Sequence, residues 1–366
     1  MLFSPEKSAG HVCWACEMRH SQSRNVHHKR HLPTQVSSKR FTGSYYSKHI
    51  YFVVAVAGAT GGIGRAIVEA IQQAGTHDVI IFSRKANPTL SSELNVPTIE
   101  VDYADVEATT GTLEKHNVHT LISALTTTQS LKVRDQIPEI QLIQAADAAK
   151  ATRQFVSSDW GIPLGEGDRD VLFNAGFKLD SRKALEETTD LEHTSFHNGF
   201  FLDYWCMPAV KSHMTPWTVV VDMASNAAVL PGSGNVNVTF THTSDVGQYV
   251  AAWLDVREWE PRTFLVGETV TWNQFLAIAE DVKGTKFSVK YEGDEVYRSG
   301  KATILPSQKV GLHWFSEDTL QTMLSSYMLL FDQGRFDLST RSSNAQFPEI
   351  KPMKFREALE KAWARR

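Results

Sequence analysis

The stretch VVAVAGATGGIGRAIVEA, residues 53–70, decides the fold. Five small or β-branched apolar residues give way to four glycines within seven positions, and then to apolar residues at helical spacing. That order reads as a buried strand, a tight turn and an amphipathic helix. Gly58, Gly61 and Gly64 form G-x-x-G-x-x-G across the turn. Glycine admits backbone conformations closed to other residues. It also lets a pyrophosphate approach main-chain N–H groups at the positive end of the helix. The turn is therefore expected to hold a dinucleotide, with Gly58, Thr60, Gly61, Gly62, Ile63 and Gly64 as its contacts.

Working outward, strand and helix signals alternate. Asp78–Ser83, Thr98–Val101, Thr120–Leu125 and Arg153–Ser157 read as strands, with helices expected over Ile63–Gln73, Val106–His116 and Asp135–Ala149. Continuous apolar strands separated by helices indicate a parallel sheet buried on both faces, and right-handed crossovers make it doubly wound. After Trp160 the alternation loosens. A helix is expected over Asn174–Glu187, a strand over Thr194–Phe200, and an interruption around Ala228–Val236. Thr243-Ser244-Asp245 would cap a helix running to Leu254. Thr263–Val266 reads as a strand, Thr271 and Gln274 as a capping box, and Phe355–Ala364 as a terminal helix. The expected organisation is α/β. A basic extension over 1–49 precedes a Rossmann-type NAD(P)-binding domain over 50–200. A smaller C-terminal substrate-binding region follows over 201–366, some of its strands returning to the main sheet.

The chain has 366 residues and a net charge of −4, which favours neither nucleic acid nor an acidic membrane surface as partner. No apolar run is long enough to span a bilayer. Three cysteines, Cys13, Cys16 and Cys206, cannot build a disulfide framework, so a reducing, cytoplasmic setting is expected. Residues 1–50 carry eight Lys or Arg against Glu6 and Glu17, a surplus of +6 that leaves −10 for the remainder. Polar, basic and without apolar periodicity, this segment reads as a disordered extension. Its acid-poor character also fits a targeting peptide. Cys13-x-x-Cys16 with His27 and His31 offers four metal-ligating side chains. The spacing is shorter than that of a zinc finger and the apolar core of one is missing, so no metal is expected.

The second strand distinguishes between nucleotides. NAD sites carry an acid at its end, bonded to the ribose 2′-hydroxyl. Here that position reads Ser83-Arg84-Lys85. A hydroxyl and two cations, Arg84 and Lys85, suit a 2′-phosphate through charge-assisted hydrogen bonds, so NADP(H) is expected ahead of NAD(H). By sheet position Asp102 would meet the adenine, and Ser123 and Ala124 would line the cofactor's path.

Many short-chain reductases use a Tyr-x-x-x-Lys pair to handle the proton. In the folded region that spacing occurs at Tyr297 and Lys301, far beyond the strands that build the site, and is read as coincidence. Other motifs, in order, are GATGGIG, FSRK, QFVSSDWG, Phe177-Lys178-x-x-x-Arg182, HNGFF and FPEIKPMKF. Over roughly residues 50–360 the sequence resembles the NmrA-like and isoflavone-reductase-like group of atypical short-chain dehydrogenases/reductases. That resemblance implies Lys178 as general acid/base and Ser158, in the SSDWG turn, beside the cofactor. Ser157-Ser158-Asp159-Trp160 stands where the family has Pro-Ser-Glu-Phe, a departure that touches the substrate more than the cofactor. His197, Asn198, Phe201 and Tyr204 follow the sixth strand, where the sheet edge opens, and would form a wall for a flat apolar or phenolic substrate. Two functions are open. One is an NADPH-dependent reductase of a small aromatic or enone/ether-type molecule. The other is a non-catalytic NAD(P)-binding redox sensor that binds a protein partner. Lys178 and the aromatic wall favour the reductase.

Overall fold

Val53–Ala57 forms β1, the strand on which the rest is ordered. In the computed structural model, which describes residues 51–126, 137–313 and 315–364, this strand pairs in parallel with β2 (Asp78–Ser83) and β4 (Val118–Ser123). The basic extension, with its cysteines and histidines, lies outside the described residues. Successive side chains of a strand point to opposite faces, and β1 shows why it is apolar throughout. Val54 and Val56 enter one core and Ala55 and Ala57 the other, all fully buried.

With β3 (Thr98–Glu100), β5 (Gln154–Ser157), β6 (Glu192–His197) and β11 (Arg262–Phe264), the main sheet has seven strands in the order β3-β2-β1-β4-β5-β6-β11. Every pairing is parallel. On one face lie α1 (Gly62–Ala74), α2 (Pro88–Leu94) and α7 (Thr243–Trp253). The opposite face carries α3 (Val106–Lys115), α4 (Pro138–Ala148) and α5 (Ala175–Glu186). The start expected for the fourth helix, Asp135, is outside the described residues. Strand order reverses between β1 and β4. Ligands of open α/β sheets bind at that switch point, beyond the carboxyl ends of the strands.

The later chain builds two three-stranded sheets. One joins β7 (Phe200–Phe201), β10 (Asn237–Thr241) and β12 (Glu268–Thr271); the other joins β8 (Val221–Asp222), β9 (Ala227–Pro231) and β13 (Ser288–Glu292). They share a core with α8 (Trp272–Lys283), α10 (Glu317–Asp332) and α11 (Phe355–Trp363), filled by Trp205, Phe240, Trp272, Phe275 and Phe331. Two local expectations change. The strand expected over Thr194–Phe200 stops at His197, because Gly199 (φ +70°) turns the chain into β7. The expected interruption at Ala228–Val236 begins later than expected: β9 runs to Pro231, and Gly232 and Gly234, both at positive φ, make the turn after its end. The Thr271–Gln274 capping box is formed in both directions, at 3.1 and 2.8 Å.

A candidate active site at the switch point

The glycine turn closes on β4 through bare backbone. A Cβ added to Gly58 (φ +84°) would stand 2.5 Å from the Ala124 carbonyl oxygen; one on Gly64 would stand 2.7 Å from the Gly58 carbonyl oxygen. Neither position tolerates a side chain. Gly61 is the N-cap of α1 in extended conformation, with no side-chain cap and no acid in the first turn. No carboxylate of α1's own first turn therefore occupies the positive end of the helix, as an anion site requires. One of its amides is engaged: Gly62 N–H donates to the His213 carbonyl at 2.8 Å. The segment carrying His213 is tied to α1 at Glu69, which pairs with Lys211 Nζ at 2.7 Å and with His213 Nε2 at 2.9 Å.

Beside the turn, Thr60, Ser83, Arg84, Lys85, Ala86 and Asn87 line a groove. Arg84 and Lys85 are exposed, so the groove offers a hydroxyl and two cations to an incoming phosphate. The Ala86 N–H is held by Glu100 at 3.0 Å. Asp102 is exposed and its carboxylate accepts the Ala104 N–H at 3.0 Å; it does not line this groove. These features suit a dinucleotide: glycines that a Cβ would clash with, an uncapped helix start, and a cationic groove at the end of β2.

On the other side of the turn a cavity encloses about 260 Å³. Ile63 and Ala124 form its edge toward the glycine turn, and Ser158 and Lys178 supply polar atoms. Its wall is aromatic: Trp160, Phe200, Phe201, Tyr204, Trp217, Tyr327 and Phe336. Phe200 sits at the centre, with ring centroids of Tyr204, Trp217 and Phe336 within 5.6–5.7 Å. The structure therefore brings Lys178, Ser158, Ala124, Ile63, Phe201 and Tyr204 together. Ser158 donates its hydroxyl to the Leu125 carbonyl at 2.9 Å.

Three expected positions are corrected. His197 and Asn198 are completely buried and do not line the cavity; Gly199 turns the chain after them, so the wall begins at Phe200. Ser123 is also fully buried and contributes its carbonyl, to Trp160 Nε1 at 3.1 Å, rather than a cavity-facing hydroxyl. Tyr297 and Lys301, read above as a coincidence of spacing, are indeed apart in role: Tyr297 is buried in α9 (Asp294–Arg298) and Lys301 makes an ion pair with Asp318.

Lys178 is held by a buried network of charges. Its Nζ lies 3.9 Å from Asp159 Oδ1, and Asp159 Oδ2 accepts from Arg182 Nη2 at 2.8 Å. Burial lowers the Lys178 ammonium from the ordinary lysine range, against the opposing pull of Asp159 and Glu139. Burial works to raise the Asp159 carboxyl, but Lys178, His197 and Arg182 outweigh it and hold the group low. Glu139, at the start of α4, accepts the Ser158 N–H and is raised by its own burial. Burial depresses His197 to about 4, so its ring is neutral at physiological pH. Asp159, Glu139, Trp217, Tyr327 and Phe336 went unassigned in the sequence. Trp217, Tyr327 and Phe336 reach the cavity from more than fifty residues beyond Trp160, and no local pattern announces that approach.

Among the described residues no helix is long and apolar enough to cross a membrane, and no group of three His, Cys, Asp or Glu is placed to hold a metal.

Residues 58–202 match the profile of the NAD(P)H-binding family. An oxidoreductase of Botryotinia fuckeliana (strain B05.10), BOA1, is 35% identical over 303 residues, covering 82% of this chain and 95% of the relative. A solved isoflavone reductase superposes with a TM-score of 0.61 at 20% identity, covering 84% of this chain and 98% of that one. AtPrR2 with NADP+ and (+)pinoresinol superposes at 0.64 and 17% identity, covering 84% and 97%. At these identities the likeness to the solved structures is one of fold.

Proposed function

We propose, from the chain's membership of the NAD(P)H-binding oxidoreductases, that it reduces a small aromatic substrate with NADPH, Lys178 supplying the proton. One observation carries this reading: Lys178 lies on the wall of an aromatic cavity whose edge is formed by Ile63 of the nucleotide turn and Ala124 just after β4. The choice of NADPH is supported by the Ser83-Arg84-Lys85 groove, which matches a 2′-phosphate in charge and hydrogen-bonding capacity. NADPH, when bound, supplies a hydride.

The chain's own residues do the rest. Thr60, Arg84 and Lys85 fix the adenosine end, and Gly61, Gly62 and Ile63 offer backbone to the diphosphate. Trp160, Phe201, Tyr204 and Trp217 stack against a flat apolar substrate and exclude water from it. Substrates whose chemistry suits this arrangement include an aryl ketone, a quinone, an enone, or an aryl ether cleaved at carbon. In each, negative charge grows on an oxygen as the carbon is reduced. Lys178 donates a proton to that oxygen. Its lowered affinity for that proton brings it nearer to the range useful for transfer at neutral pH.

The test is nucleotide oxidation followed across aryl ketones, quinones, enones and aryl ethers, in the wild type and in Lys178→Ala. We expect turnover of one class, falling about a hundredfold or more in the variant while NADPH affinity stays within a few-fold. Undiminished turnover in Lys178→Ala overturns the assignment. An absence of turnover across the panel favours the sensor.

A further inference from the structure

Lys178 and Arg182 stand one helical turn apart on α5 and face the same buried carboxylate. The Arg182 guanidinium is fixed at two points, donating from Nη2 to Asp159 Oδ2 at 2.8 Å and from Nη1 to the Leu164 carbonyl at 2.7 Å. The other carboxylate oxygen, Asp159 Oδ1, has no hydrogen-bond partner among the described residues. It lies 3.9 Å from Lys178 Nζ, within ion-pair range and beyond hydrogen-bond range. The Asp159 side chain is 3% exposed and that of Lys178 10%. Buried polar atoms are ordinarily bonded. An oxygen left open toward a cationic head on a cavity wall calls for an explanation other than packing.

We propose that Asp159 and Arg182 form a positioning pair for Lys178. Asp159 Oδ1 holds the ammonium at the cavity wall without taking its N–H groups from the substrate, and Arg182 draws off part of the carboxylate's charge. This rests on the reading of Lys178 as proton donor, and it divides the work between two opposed charges. Asp159 keeps the amine protonated in a place where burial would strip it. Arg182, always cationic, keeps that hold from becoming so tight that the proton is never released. Two other titratable groups face this cluster. Glu139 approaches from α4, its carboxyl raised by burial and bonded to the Ser158 N–H. His197 approaches from β6 and is neutral near physiological pH. Asp159 and Arg182 are therefore the charges to vary.

The test reads Lys178 directly and needs no substrate. Protein labelled with [ε-13C]lysine is titrated by NMR, the Lys178 signal being identified by its loss in Lys178→Arg. Against the wild type, Asp159→Asn is expected to move the Lys178 midpoint down and Arg182→Gln to move it up, each by about one pH unit. Gln at 182 keeps a donor for Asp159, so the upward shift reports charge rather than a broken contact. Shifts in the same direction, or no shift in either variant, overturn the proposal. If Asp159→Asn does not fold, Arg182→Gln decides alone, since a downward or absent shift is sufficient to overturn it. Failure of Lys178→Ala to slow turnover would remove the proton donor while leaving this titration standing, so the two ideas fail separately.

Discussion

The Gly58 Cα and the Ala124 carbonyl are packed so closely that a Cβ on Gly58 would come within 2.5 Å of that oxygen. The first and fourth strands of the main sheet thus meet through backbone at the point where strand order reverses. Gly58→Ala adds a clash to a positive-φ strain, and we expect a loss of about 3 kcal/mol in stability together with loss of NADPH binding. Chemical denaturation and a fluorescence titration check both. A variant that binds NADPH as the wild type does would mean that the turn can open without cost.

On the proposed reading, Arg84 sets the nucleotide preference. Wild type is expected to bind NADPH at least about tenfold more tightly than NADH, the size of a charge-assisted contact. Arg84→Ala should remove most of that margin by weakening NADPH and leaving NADH nearly unchanged. Equal binding of the two nucleotides by the wild type would dispose of the 2′-phosphate assignment.

The parts of this protein that were legible in its sequence are those where local chemistry and global position coincide. β1, the glycine turn and α1 could be read because a doubly buried strand must be apolar on both faces, and because a side chain is excluded at Gly58 and Gly64. The capping box at Thr271 and Gln274 was legible for the same local reason. α10 also carries a local signal: Ser316 caps it, Glu317 and Asp318 follow, and Leu320, Leu324 and Met328 repeat at helical spacing. The cavity wall was harder. Trp217, Tyr327 and Phe336 are brought to Phe200 by tertiary packing alone. His197 and Asn198 were misplaced because a strand's end can be seen in sequence, but the turn at Gly199, two residues after β6 ends, redirects the wall.

His197 should make the protein acid-sensitive. Burial holds its folded-state pKa near 4 against an ordinary 6.5, and neither ring nitrogen has a hydrogen-bond partner among the described residues. The unfolded chain therefore binds the proton more readily. Stability is unaffected above pH 6.5, declines as pH falls through that value, and the loss is complete below about 4. Its ceiling is about 3 kcal/mol. Denaturant unfolding of wild type and His197→Asn over this interval should show a shallower pH dependence in the variant. Parallel curves would mean that other groups carry the acid sensitivity.

The contact between Gly62 N–H and the His213 carbonyl competes with any diphosphate seeking the same amide. Glu69 latches the segment through Lys211 and His213. Glu69→Gln weakens the hold on Lys211 and His213, so NADPH association measured by stopped-flow fluorescence should accelerate a few-fold. An unchanged or slower rate would show that the segment does not stand in the cofactor's way.

The most direct test is the structure of the protein with NADP+ bound. We expect the diphosphate against the backbone of residues 61–63, the 2′-phosphate against Arg84 and Lys85, and the nicotinamide at the mouth of the aromatic cavity facing Lys178. A diphosphate lodged elsewhere, or a nicotinamide turned away from Lys178, would contradict the account.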